Sequence, residues 1–171
     1  LCHPDHLGGV TRWMADASIA FAARGYDVWF VTVAPVRPFF SAKGKETLLQ
    51  LIEKQKNKVH VLSAPVGYEF EFGTPAYRAW IYRQLLVKLP EGTPVVLSDD
   101  YAVWEAATSL HQTYPVVGVM HADENHYYAL AEKYCNKVEV MACVSERVKA
   151  TTRERIPAFD AAHIFTIPCG I

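Results

Sequence analysis

The chain has 171 residues, of which 51% are hydrophobic and 20% charged. That is enough apolar material for a packed core and too much for a disordered chain, and the length fits one domain spanning residues 1–171. Seventeen Lys and Arg against eighteen Asp and Glu leave a net charge of −1, which excludes the basic footprint of a dedicated nucleic-acid binder.

The elements read in chain order. Val10 to Arg24 has helical periodicity, with Val10, Trp13, Met14, Ala17, Ala20 and Phe21 on one face. Gly8-Gly9 precede it, and Gly25 stands where a left-handed C-cap belongs. Asp27 to Val33 is apolar without alternation, the pattern of a strand covered on both faces. A loop opened by Pro35 and Pro38 leads to a helix over Lys45 to Asn57. Val59 to Ser63 reads as a strand, Ala64 to Pro75 as an irregular aromatic stretch, and Ala76 to Leu89 as a helix. Then come strand Pro94 to Ser98, helix Tyr101 to Thr113, strand Val116 to Met120 and helix Glu124 to Tyr134. Strand Val138 to Val144, helix Ser145 to Arg155 and strand Ile164 to Ile167 complete the series.

Strands and helices alternate throughout, which predicts an α/β fold: a Rossmann-like three-layer sandwich with a mostly parallel sheet. A strand should precede the helix opening at Gly9, and only Leu1-Cys2-His3 remain to supply it. That strand is either very short or begins upstream.

The cysteines, Cys2, Cys135, Cys143 and Cys169, are far apart and form no Cys-x-x-Cys pair. An extracellular disulfide framework is therefore not expected, and a reducing cytoplasm is the simplest setting. Cys143 lies in an apolar run and reads as a small buried hydrophobe. The most apolar run, Val28 to Val36, is far shorter than the roughly 18–20 residues of a membrane helix. Ser41 to Lys58 carry five Lys and two Glu, a solvated helix face or a peripheral contact with an anionic membrane at its inner surface.

In parallel sheets ligands gather beyond the carboxyl ends of the strands. Gly8-Gly9 at a helix start suit a phosphate, through backbone N–H groups and the positive helix end, or serve as a tight turn. The fingerprint G-x-G-x-x-G is absent, which disfavours a nicotinamide cofactor. His121 follows a strand and is placed to hydrogen-bond a hydroxyl or oxyanion, or to act as acid or base. Asp123 is placed to cap the next helix or to contact substrate, with His126 one turn on at the surface. Of Asp99 and Asp100, at least one caps the helix at Tyr101, and the pair could also bind sugar hydroxyls. Ser145 and Glu146 read as an N-cap and its dipole partner. Tyr68, Phe70, Phe72 and Tyr77, like Tyr127 and Tyr128, read mostly as core or loop anchors, with stacking on a sugar as the alternative. The spacing of His121, Asp123, Glu124 and His126 matches no strong metal motif, and no metal is expected.

Three stretches in order resemble one family. Gly8-Gly9-Val10-Thr11-Arg12, with a helix end at Ala23-Arg24-Gly25-Tyr26-Asp27-Val28, is similar to the opening of the family-4 glycosyltransferases. Pro115 to Tyr128, then Met141-Ala142-Cys143-Val144-Ser145-Glu146, resemble the family's strand-His and Ala-Val-Ser-Glu segments. Ile164 to Ile171 resemble the stretch closing its N-terminal domain. Thr11 replaces the usual Glu, and Cys169 the usual Asn.

The resemblance implies the acceptor-side half of a retaining GT-B enzyme, which moves a sugar from a nucleotide sugar to an acceptor hydroxyl. It implies a UDP- or GDP-sugar as substrate, no cofactor or catalytic metal, and a carbohydrate, lipid or small-molecule acceptor. A C-terminal donor-binding domain in cis is expected beyond this segment. Gly8 and Gly9 would lie near the donor phosphates and His121 near the donor sugar. Arg12 would add positive charge at the loop, and Asp99, Asp100 and Asp123 are the candidate substrate contacts. The rival readings are a nucleotide-sugar epimerase of GT-B type and a non-catalytic Rossmann-like binding module.

Overall fold

The computed structural model describes residues 9–35, 59–97 and 99–168. The expected helix over Lys45 to Asn57, the basic stretch around it, Gly8, the remnant Leu1-Cys2-His3 and the C-terminal Cys169 to Ile171 lie outside the described residues. The chain divides into two compact units, Leu1–Leu86 and Val87–Ile171.

In the first unit, α1 spans Gly9–Ala23 and β1 spans Val28–Pro35. Gly25 sits at φ 90°. Its N–H bonds the Ala22 carbonyl, and the Tyr26 N–H returns to the Phe21 carbonyl. This is the Schellman closure, which requires a residue without a Cβ at that position. Met14 and Ala15 pack on Phe30 and on Val59 of the next strand, with Val10, Trp13, Ala22 and Val28 around them. Ala20 and Phe21, expected on this buried face, are exposed. The helix end turns Phe21 onto the Tyr26 ring, with centroids 5.7 Å apart.

β1 has Phe30, Val31, Thr32 and Val33 consecutively buried, as its uninterrupted apolar run predicts for a strand covered on both faces. β2 spans Val59–Val66 and pairs with β1 in parallel, from Val28 opposite Val59 to Pro35 opposite Val66. Pairing along the full length of β1 carries β2 three residues past the expected end at Ser63. The stretch expected to be irregular also contains a short helix, α2, Tyr68–Glu71. Next comes α3, Pro75–Leu86. Thr74 Oγ1 accepts the Tyr77 N–H at 3.2 Å, and proline in the first helical position has no N–H to leave unsatisfied. Ala79, Tyr82, Leu85 and Leu86 form the buried face of α3, which packs on β1 and β2.

Among the described residues the second unit holds four parallel strands in the order β3-β4-β5-β6. They are β3 Val95–Val96, β4 Val116–Met120, β5 Val140–Cys143 and β6 Ile164–Thr166. Between them run α4 Tyr101–Thr108, α5 Asn125–Tyr134 and α6 Glu146–Arg155. Neighbouring helices touch each other, and each helix touches an adjacent strand. Single-turn 3₁₀ segments at Cys135–Lys137 and Ala161–His163 precede β5 and β6. The fold class is thus α/β, with parallel sheets flanked by helices, as the alternation predicts.

Several elements are shorter than expected, and in β3 and α4 the cause is visible. Pro94 has no N–H to give to a ladder, so pairing in β3 begins only with the Val95 N–H to the Pro115 carbonyl. Helix α4 ends five residues early. Thr108 Oγ1 and Ser109 Oγ bond back to the Trp104 and Ala106 carbonyls, and the His111 ring bonds that of Thr108. Such side-chain bonds compete with continuing helix, and the chain leaves in successive tight turns.

Trp104 is fully buried over β4. Its ring comes this close to the strand because position 118 is glycine. A Cβ there would meet the Trp104 Cη2 at 2.6 Å and the Met141 Sδ at 3.1 Å. Cys143 is buried as expected, its Sγ 3.7 Å from Thr152 Oγ1, and burial pushes its thiol pKa up.

Candidate functional site

The second unit brings five of the expected positions to the carboxyl ends of β3, β4 and β5. Asp99 and Asp100 follow β3, His121 and Asp123 follow β4, and Ser145 follows β5.

Asp100 is the helix cap. It has extended backbone, with φ −78° and ψ 126°, and its Oδ1 accepts the Ala102 N–H at 2.8 Å. The remaining carboxylate of the pair, Asp99, faces the loop after β4. Its charge raises the pKa of both His121 and Tyr127. Its backbone carbonyl accepts a hydrogen bond from the His126 ring at 2.7 Å. A carbonyl oxygen only accepts, so Nε2 of His126 carries the hydrogen. His126 is on the surface, as expected, but it also ties the start of α5 to the loop after β3.

His121 is partly buried, with the Tyr127 ring 6.1 Å away between centroids. Burial pulls the imidazole down from 6.5 to about 4, against the Asp99 charge, which pulls it up. The ring is therefore neutral near pH 7, with one N–H to donate and one lone pair to accept. It is equipped to hydrogen-bond a hydroxyl or a developing oxyanion. General-acid work at neutral pH, which the sequence leaves open, does not suit a group of this acidity. Tyr127 is buried, and burial together with Asp99 and Glu124 raises its hydroxyl pKa well above the ordinary value. It stays an un-ionised wall of the site.

Asp123 does not cap α5. The N-cap is Glu124, whose side chain makes no capping bond. Asp123 instead holds two partners. Its Oδ1 accepts the Tyr128 hydroxyl at 2.7 Å and its Oδ2 accepts Arg147 Nε at 2.6 Å. Ser145 and Glu146 take the roles expected of them. Ser145 Oγ accepts the Val148 N–H at 3.2 Å, and Glu146 sits in the first turn of α6.

The Arg147 contact was not legible in the sequence, since its partner lies 24 positions away on another loop. Nor was the role of Tyr128. It is buried beneath the Arg155 guanidinium, which stands 4.9 Å from the ring centroid. Arg155 also reaches Glu132 at 2.7 Å and Asn125 at 2.9 Å, fastening α6 to α5.

The remaining expected positions belong to the first unit. Gly9 opens α1, and a Cβ added there meets nothing within 4 Å. Arg12 lies on the exposed surface of α1, its Nε 2.8 Å from Asp16 Oδ2 one turn on. Phe70 is buried edge-on to Tyr82, whereas Phe72 is exposed and Tyr77 stacks on half-exposed Trp80. The side chain of Tyr68 lies outside what is described. Among the described residues no helix is long and apolar enough to cross a membrane, and no three His, Cys, Asp or Glu gather as a metal site.

Parallel strands flanked by helices, with polar side chains collected beyond the strands' carboxyl ends, define a Rossmann-like α/β domain. The family model described as Glycosyltransferase Family 4 matches residues 7–171. The chain belongs to that family, as an N-terminal domain of GT-B type, and its function is of the glycosyltransferase class. No curated protein matches the chain significantly.

Proposed function

We propose that this domain supplies the acceptor side of a retaining glycosyltransferase, which moves a sugar from a UDP- or GDP-linked donor to an acceptor hydroxyl. The nucleotide sugar is a substrate, and the donor is held by a second domain in cis. The observation that carries this reading is His121, a neutral imidazole at the carboxyl end of β4 with the Asp99 charge beside it. Departure of a nucleoside diphosphate and attack by a hydroxyl both place developing charge on oxygen. A fixed, uncharged N–H donor in a partly desolvated site stabilises such charge without reorganising. Asp99 is the carboxylate best placed to orient a sugar hydroxyl. In the first unit, Gly9 at the start of α1 offers a backbone N–H suited to an anion.

The test is transfer from labelled UDP- and GDP-hexoses by the full-length protein and its His121→Ala variant. Loss of one transition-state donor lowers turnover roughly a hundredfold or more with an unchanged melting profile. Near-normal turnover would remove His121 from the site. Epimerisation of the free donor without acceptor would replace transferase by epimerase. The isolated 171-residue chain is expected to show no transfer, and measurable transfer by it would refute the division of labour between two domains.

A further inference from the structure

We propose that Asp123 is a positioning residue that holds His121 in place from outside the site, a role that rests on the function proposed above. The loop from His121 to Glu124 joins β4 to α5 and lacks the usual local anchor. Its N-cap residue, Glu124, is extended at φ −132° and ψ 144° and makes no side-chain capping bond. A short loop without a cap keeps backbone freedom unless something distant removes it.

Two distant ties do so here. On one side His126 Nε2 donates to the Asp99 carbonyl at 2.7 Å. On the other side Asp123 receives the Tyr128 hydroxyl on Oδ1 and the Arg147 guanidinium on Oδ2. Tyr128 is buried and sits under Arg155, itself bonded to Glu132 and Asn125, so the tie ends on a packed pair of helices. Both carboxylate oxygens are thus engaged by the protein, two residues from His121. Asp123 was a candidate substrate ligand from sequence, and this arrangement assigns it to the support of the site.

Arg147 is largely exposed, and an exposed pair contributes little to global stability. Its worth lies in position. A misplacement of about an ångström in a reacting site costs up to roughly a hundredfold in rate.

The experiment uses the full-length protein with D123N, H121A and the double variant, and R147Q as a milder second probe that leaves the Tyr128 bond intact. Turnover is read with labelled UDP- and GDP-hexoses. The ring environment of His121 is read separately, by the pH dependence of hydrogen–deuterium exchange at the imidazole C2 position, with exposed His163 as the internal control. D123N is expected to lower turnover roughly tenfold or more, R147Q by less, and neither to lower turnover further once His121 is alanine. D123N should also raise the His121 midpoint from about 4 toward the ordinary 6.5 as water reaches the ring, with the His163 profile unchanged. An unmoved His121 midpoint in D123N, or a loss that multiplies with that of H121A, would overturn the proposal. Full turnover in H121A would defeat the reading of the site itself, while the exchange measurement still decides whether Asp123 holds the ring.

Discussion

Replacing His121 by Gln removes a titrating group while keeping a neutral hydrogen-bonding side chain, and its effect on folding depends on pH in a direction the structure fixes. In the folded protein burial holds the His121 imidazole at about 4, against 6.5 in the unfolded chain. Between those values the unfolded chain binds a proton that the folded protein refuses. Stability contributed by the neutral ring is therefore complete above the unfolded value and is lost as pH falls toward the folded one. From about pH 7 to about pH 5 the linkage relation gives a loss of about 2 kcal/mol, an upper value because His121 is only partly buried. The window stops above the range in which ordinary carboxylates take up protons.

The assay is urea unfolding of wild type and His121→Gln at several pH values, with the free energies compared by linear extrapolation. The stability of wild type relative to the variant should fall by about 2 kcal/mol across the window. Parallel pH profiles for the two proteins would refute the reasoning. They would mean that the ring is hydrated in the folded state and that its neutrality at pH 7 is the ordinary behaviour of an exposed histidine.

The other expectations are structural and cheap to check. Gly118→Ala drives a methyl group into the buried Trp104 ring and should cost about 1–3 kcal/mol in denaturant unfolding; an unchanged midpoint would show that β4 and Trp104 are not packed this way. Asp100→Ala removes the Ala102 cap and should cost about 1 kcal/mol, while Asp100→Asn keeps the cap and stays near wild type. In the full-length protein both Asp100 variants should keep turnover within a few-fold, and a large loss in the well-folded Asn variant would return Asp100 to the substrate site.

Much of the fold is local and therefore written in the sequence. The helical stripe from Val10, the glycine at position 25 and the caps at Asp100 and Ser145 each depend on residues within one or two turns. The order of alternating strands and helices leads to parallel strand pairing, and the lack of alternation in β1 leads to its two-sided burial. The carboxyl edge of the sheet follows from strand direction, which is why His121 and the pair Asp99-Asp100 could be picked out from their positions after β4 and β3.

What the sequence left open depends on partners far along the chain. Asp123 reads equally as a cap or a ligand until Arg147, 24 positions on, arrives at its Oδ2. His126 reads as a surface residue until the Asp99 carbonyl, 27 positions back, meets its ring. The choice between a charged and a neutral His121 belongs to burial, a property of the assembled core. The sequence by itself thus determined the class of fold and the edge that carries the candidate site, because periodicity and strand direction are local. Only the tertiary structure decided which carboxylate clamps and which one faces the histidine, because those roles are contacts between distant segments.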